Sequence, residues 1–195
     1  MESEKQLTES ESLEVIQRML LTVKNDLEDD SFYFLLWGWL VFVASLAQYI
    51  LMNMEYDKPY IGWMILMPAG GLFSFLYGRK QNKNKKVKTY IDELMGYVLI
   101  AFLVSLFMVL FFQGMLKLNC YPMVMMVYGI WLFISGGAIK FKPLIAGGII
   151  NWVLCIAAFF VSFEVQLLLL ALAVLLGYII PGHMLKSKYQ KLKTA

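Results

Sequence analysis

The chain has 195 residues, of which 60% are hydrophobic and 16% charged, against about 45–50% and about 25% in an average soluble domain. The net charge of +3 hides an acidic start and a basic remainder: nine Asp/Glu against three Lys/Arg in residues 1–31, then five acids against fourteen bases. This composition argues against a soluble domain and for a bilayer as solvent, and bases confined to the ends of apolar segments argue against a nucleic-acid partner.

In chain order, residues 8–30 predict an amphipathic helix. Leu13, Ile16, Leu20, Val23 and Leu27 recur at steps of three and four, which puts them on one face. Thr8 and Glu11 have the spacing of a capping box. The segment lacks a basic region leading into an apolar core, so no cleavable signal peptide is expected.

Six apolar segments follow, spanning residues 32–52, 60–78, 94–116, 121–139, 143–163 and 165–184, and none contains Asp, Glu, Lys or Arg. Each approaches the length of about 20 residues that a helix needs to cross hydrocarbon. The weakest break falls near Ser162 to Gln166, where Glu164 is the one charge. Two helices are still expected there, because about 40 apolar residues exceed one crossing.

Lys and Arg set the orientation. With six spans, Arg79, Lys80, Lys83, Lys85, Lys86, Lys88, Lys140, Lys142 and the lysines after residue 185 share one side with the N-terminal bases, leaving Lys58 and Lys117 opposite. The predicted fold is therefore all-α: an acidic cytoplasmic helix (residues 1–31), a bundle of six transmembrane helices (32–185) and a basic cytoplasmic tail (186–195).

Helices in lipid associate through small residues. Gly70, Ser74 and Gly78 recur every four positions, Gly136 and Gly137 cluster in the fourth span, and Gly147 and Gly148 in the fifth. Close helix contact is the first reading of all of them. A substrate path along Gly136, Gly137, Gly147, Gly148 and Asn151 is the second. Asn151 lies in the middle of its span, where an amide needs a partner. Residues 36–44 of the first span match 127–135 of the fourth in character, and Pro59 and Pro143 open the next spans. A three-plus-three duplication would place its halves in opposite orientations, as in many transporters.

No charged group interrupts a span, and no nucleophile–base pair stands out. His183 is the single histidine, and Cys120 and Cys155 are read as free thiols. An enzyme, a cofactor and a metal site are not expected. Glu28, Asp29 and Asp30 against the basic loop Arg79, Lys80, Lys83, Lys85, Lys86 and Lys88 form the candidate docking surface. It would take a protein partner, a second copy of the chain, or the chain's own acidic helix as a latch. Exposed pairs are worth about 0–1 kcal/mol each, so such docking would be salt-sensitive.

The stretch Glu11 to Met19 (Glu-Ser-Leu-Glu-Val-Ile-Gln-Arg-Met), the run Phe34 to Trp39 and Ile180-Pro181-Gly182-His183 together resemble an uncharacterised family of small six-helix bacterial inner-membrane proteins. The resemblance spans nearly the whole chain and implies a multi-pass plasma-membrane protein. It carries over no catalytic or binding residue. The expected role is regulatory, sensing or assembly through the cytoplasmic face. The alternative is a small transporter or channel subunit built on the inverted repeat.

Overall fold

The computed structural model describes residues 9–82, 90–116 and 120–194. The described chain is helical: α1 (Glu9–Asn53), α2 (Ile61–Asn82), α3 (Tyr90–Phe111), the single turn α4 (Gln113–Leu116), α5 (Cys120–Ala138), α6 (Lys142–Ala158), α7 (Phe163–Val174), a π-helical segment (Leu175–Ile179) and α8 (Ile180–Thr194). Among the described residues, five stretches are long and apolar enough to cross a membrane: Ser31–Asn53, Ile61–Arg79, Glu93–Phe111, Cys120–Ala138 and Phe163–Lys188. The remaining apolar helix, α6, has 17 residues, about 25 Å of rise against a hydrocarbon core of about 30 Å.

The boundaries differ from the sequence expectation in four places. First, the acidic segment and the first span are not two helices, because α1 runs unbroken for 45 residues. Second, the third span stops at Phe111, and α4 follows after a one-residue turn where Gln113 and Gly114 interrupt the apolar run. Third, the weak break lies earlier than expected. α6 ends at Ala158, the Phe159 and Phe160 amides close a turn on Ile156 and Ala157, and Ser162 in extended backbone starts α7. Glu164 therefore sits in the first turn of α7, where the helix dipole favours an acid. Fourth, the basic tail continues α8 as helix to Thr194.

The core explains why these apolar helices carry little amphipathic signal. Along α1 the buried positions are Ser31, Phe34, Gly38, Val41, Ala44, Ser45 and Gln48, a stripe at steps of three and four with Ala44 beside Ser45, while Trp39, Val43 and Ile50 face outward. In lipid both faces are apolar, so the interior is marked by small and polar residues instead. This stripe packs along α7, the π segment and α8. Gly38 meets Tyr178 and Ile179, Gly182 meets Leu35, and Ser45 Oγ donates to the Leu167 carbonyl at 2.7 Å. The α7–α8 rod is thus the central element, since it also touches α6 and, through α7, α5.

α5 and α6 form the most closely packed antiparallel pair. Trp152 lies across Gly129 and donates its indole N–H to the Met126 carbonyl at 3.3 Å. A Cβ at Gly148 would meet the Gly129 carbonyl oxygen and Phe133 N, and one at Gly136 would meet Ile145 N. α2 and α3 are peripheral. α2 leans on α1, with Gly70 against Leu40 and Trp37 and Gly78 against the Tyr33 hydroxyl. α3 leans on α5 through Phe102, which sits 5.1 Å from the Trp131 ring. No residue of the apolar stretch of α3 is fully buried. Its large side chains, such as Tyr97, Ile100, Phe107 and Phe111, form the kind of surface that lipid covers.

The loops after α1 and α5 share one device. Glu55 and Lys140 have positive φ, 53° and 52°. In each case that residue's own amide and the next one close the helix: Glu55 N–H to Met52 O with Tyr56 N–H to Leu51 O, and Lys140 N–H to Gly137 O with Phe141 N–H to Gly136 O. This is the Schellman arrangement, which normally uses glycine at the left-handed position. A side chain there costs roughly 1–2 kcal/mol. Glu55→Gly and Lys140→Gly are each expected to stabilise the bundle by about 1 kcal/mol, read as a raised unfolding midpoint in detergent.

Candidate functional site

The most polar point of the buried bundle is Asn151 in the middle of α6. Its side chain is fully buried, at 0% exposure. The amide Nδ2 donates to the Gly147 carbonyl one turn back at 2.9 Å and across to the Ala173 carbonyl of α7 at 3.2 Å. Ala173 stands two residues ahead of the π segment, where the Ile180 amide bonds to Leu175 O, five residues back. Asn151 therefore ties α6 to α7 just where the helix changes register. Its Oδ1 has no hydrogen-bond partner among the described residues.

The glycines singled out with Asn151 divide. Gly147 is closed by backbone, since a Cβ there would stand 2.8 Å from Gly177 Cα and 3.0 Å from Gly177 O. Gly148 and Gly136 are likewise closed, against α5 and α6 backbone respectively. Gly137 has nothing within 4 Å of its Cβ position. The geometry thus joins Gly147 and Asn151 at one helix crossing and Gly136 and Gly148 at another, with Gly137 outside both. Gly177, Tyr178 and Gln166 belong to the same interior; Gln166 shows in the sequence as a polar side chain at the start of the last apolar segment, whereas Gly177 and Tyr178 carry no signal separating them from ordinary apolar-segment residues. Tyr178 packs between Phe34 and Tyr128, with ring centroids 6.0 and 5.4 Å away.

Of the docking residues, Arg79 is described in full. It lies over the Phe75 ring of its own helix, 4.7 Å from the centroid. The side chains of Glu28, Asp29, Asp30 and Lys80, and the whole of Lys83, Lys85, Lys86 and Lys88, lie outside the described residues, as does Thr8 of the capping box. Apart from Lys58, the described bases beyond α1 gather at one end of the bundle. Arg79 follows Gly78, which meets Tyr33; Leu35 meets Gly182 of α8; and Lys188 lies 5.5 Å from the Phe141 ring beside Lys140 and Lys142. His183 is exposed at that end too.

At the opposite end, Gln48 makes a junction that sequence reading passes over. Its Oε1 accepts the Trp63 indole N–H at 2.6 Å and the Tyr121 hydroxyl at 2.5 Å. Tyr121 also packs on Phe163 at 5.1 Å between centroids. One buried amide oxygen therefore holds α1, α2 and α5 together. Trp63 looks in the sequence like an interfacial anchor, and here its indole also makes a structural bond.

A hollow of about 330 Å³ opens beside α1 and α2, lined by Phe32, Leu35, Leu36, Trp39, Leu40, Val43 and Leu66. All seven are apolar. Among the described residues, no three His, Cys, Asp or Glu side chains gather as a metal site would need. Comparison with protein-family models, curated proteins and solved structures finds no match to this chain in any of the three.

Proposed function

We propose that this chain is a six-span protein of the bacterial inner membrane, with both ends cytoplasmic, that regulates, senses or assembles through its cytoplasmic face and catalyses no reaction. The observation that carries this reading is α1. Its apolar stretch begins at Ser31, while the helix begins at Glu9. The 22 residues between add about 33 Å of helix at the bundle's basic end. The buried stripe of α1 lies along α7, the π segment and α8, so a partner held by the acidic extension pulls directly on the central helix. The shorter α6 serves as the sixth crossing. That count keeps Lys140, Lys142 and the α8 lysines on one side, as charge bias requires.

The test is deletion of residues 1–30. The shortened protein is expected to keep its unfolding midpoint and to lose, in native membranes, the partner that co-purifies with the full chain. Equal recovery of that partner with both proteins would contradict the reading.

A second reading, a small transporter or channel subunit built on an inverted repeat, has one specific observation in its favour. Glu55 and Lys140, the non-glycine positive-φ residues of the described chain, end the two helices that the repeat pairs. Each is followed within four residues by a proline, Pro59 or Pro143. Helix neighbours also correspond in part: α1 packs on α2 and the last span, and α5 on α6 and α3. Solute flux in vesicles carrying the pure protein alone would favour this reading over the first.

A further inference from the structure

We infer that the seam between α6 and α7 holds two internal water molecules, one at Asn151 Oδ1 and one at Gln166 Oε1. The inference rests on the membrane reading only in taking lipid, not bulk water, to surround the bundle.

The seam is defined by contacts at its middle and at one end. Gly147 meets Gly177, and Asn151 donates to Ala173 O. Gln166 and Leu170 lie two helical turns before Ala173 and Gly177, and a step of seven residues returns to the same face. On α6 the matching stripe is Gly147, Asn151, Cys155 and Ala158. All eight residues are buried. Leu170 is the one bulky apolar side chain among them.

Two amide side chains in this seam lack a partner on their oxygens. Asn151 is 0% and Gln166 1% exposed. Their nitrogens are used: Asn151 Nδ2 on Gly147 O and Ala173 O, Gln166 Nε2 on Val161 O at 3.4 Å. Asn151 Oδ1 and Gln166 Oε1 have no donor within reach among the described residues. A buried acceptor left unpaired is costly, and such groups in native interiors are ordinarily satisfied by ordered water. The ligand must be a small neutral donor. No carboxylate stands among these eight residues to balance a cation, and the close approach of Gly147 to Gly177 admits nothing larger than water. Gln166 and Ala173, the α7 residues at the two sites, are about 10 Å apart along the helix with Leu170 between them, so these are two separate waters and not a continuous channel.

The water at Asn151 has a consequence for the neighbouring helix. It sits beside the carbonyl that precedes the π segment. It can exchange with the Asn151 amide as hydrogen-bond partner, so the segment can change register without stranding a polar group in lipid.

The test is water-to-protein magnetisation transfer by solid-state NMR on the full chain in lipid bilayers. The side-chain amides of Asn151 and Gln166 are expected to receive water polarisation at least about fivefold faster than the buried Val41 and Leu144, since ordered internal water lies against the amides. In Asn151→Leu, Ala173 is expected to lose that transfer, and in Gln166→Met, Ala158. Replacing sodium with N-methylglucamine is expected to leave the transfer unchanged; its loss would mean that a cation holds the site and would overturn the assignment. Transfer from lipid acyl chains to Ile100 and Phe107 reports embedding separately. If it is retained while Asn151 and Gln166 are as slow as Val41, the waters alone are overturned. If it is lost, the membrane reading fails and the internal waters fail with it.

Discussion

Gly147→Ala and Gly148→Ala are expected to destabilise the bundle by about 1–3 kcal/mol each, the usual cost of overpacking a close-packed interior. A methyl at 147 would stand 2.8 Å from Gly177 Cα, and one at 148 would stand 2.8 Å from Gly129 O and 2.9 Å from Phe133 N. These are backbone atoms and cannot rotate aside. Whole helices would have to separate, and in lipid the close approach is itself the source of attraction. Gly136→Ala meets the same obstacle at Ile145 N, 2.7 Å away. Gly71, Gly96 and Gly137 provide the internal control, since nothing lies within 4 Å of their Cβ positions. Replacing these with alanine is expected to be neutral or to stabilise by up to about 1 kcal/mol, because glycine inside a helix is entropically unfavourable. Unfolding midpoints in one detergent or bicelle system would rank all six. Equal effects in the two groups would refute the packing account.

Gln48→Leu is expected to have the largest effect of any change at the opposite end. Leucine fills similar volume but strands the Trp63 indole and the Tyr121 hydroxyl, which both donate to Gln48 Oε1. A stranded buried donor costs about 1–3 kcal/mol, so two amount to about 2–6 kcal/mol where water does not reach them. Adding Trp63→Phe and Tyr121→Phe removes both donors, and the triple variant is expected to regain most of the loss. That non-additivity distinguishes a shared hydrogen-bond junction from simple packing. Since α2 otherwise leans chiefly on α1, amide exchange in α2 should rise in Gln48→Leu more than in α5 or α6. Protection that stays unchanged in α2 would count against the junction's role.

The sequence marks the apolar segments well because crossing length and the absence of charge are properties of composition. It misplaces the turn before α7 because Glu164, the one charge in that region, draws the break toward itself. The turn is made instead by Phe159 to Ser162, four residues with no composition signal. The π segment is equally silent, since Leu-Leu-Gly-Tyr-Ile reads as ordinary membrane helix. The ranking of helices is illegible for a physical reason. In lipid both the buried and the outward faces of α1 are largely apolar, so nothing in residue hydrophobicity tells that α7–α8 is central and α3 peripheral. Asn151 is legible as a buried amide in mid-span. Its partner Ala173, 22 residues away, follows only from how α6 and α7 cross. Gln48 is visible as a polar interruption, but its two aromatic donors come from distant helices.

The central claim is that six helices cross the bilayer, the short α6 among them. It is tested most directly by single-cysteine labelling from each side of sealed membranes. The background is Cys120→Ala with Cys155→Ala, and the probes are Asp57→Cys, Lys140→Cys, Val161→Cys and Lys188→Cys. With a membrane-impermeant thiol reagent, positions 57 and 161 are predicted to react from one side, and positions 140 and 188 from the other. Labelling of 140 and 161 from the same side would show that α6 does not cross, and would contradict the account.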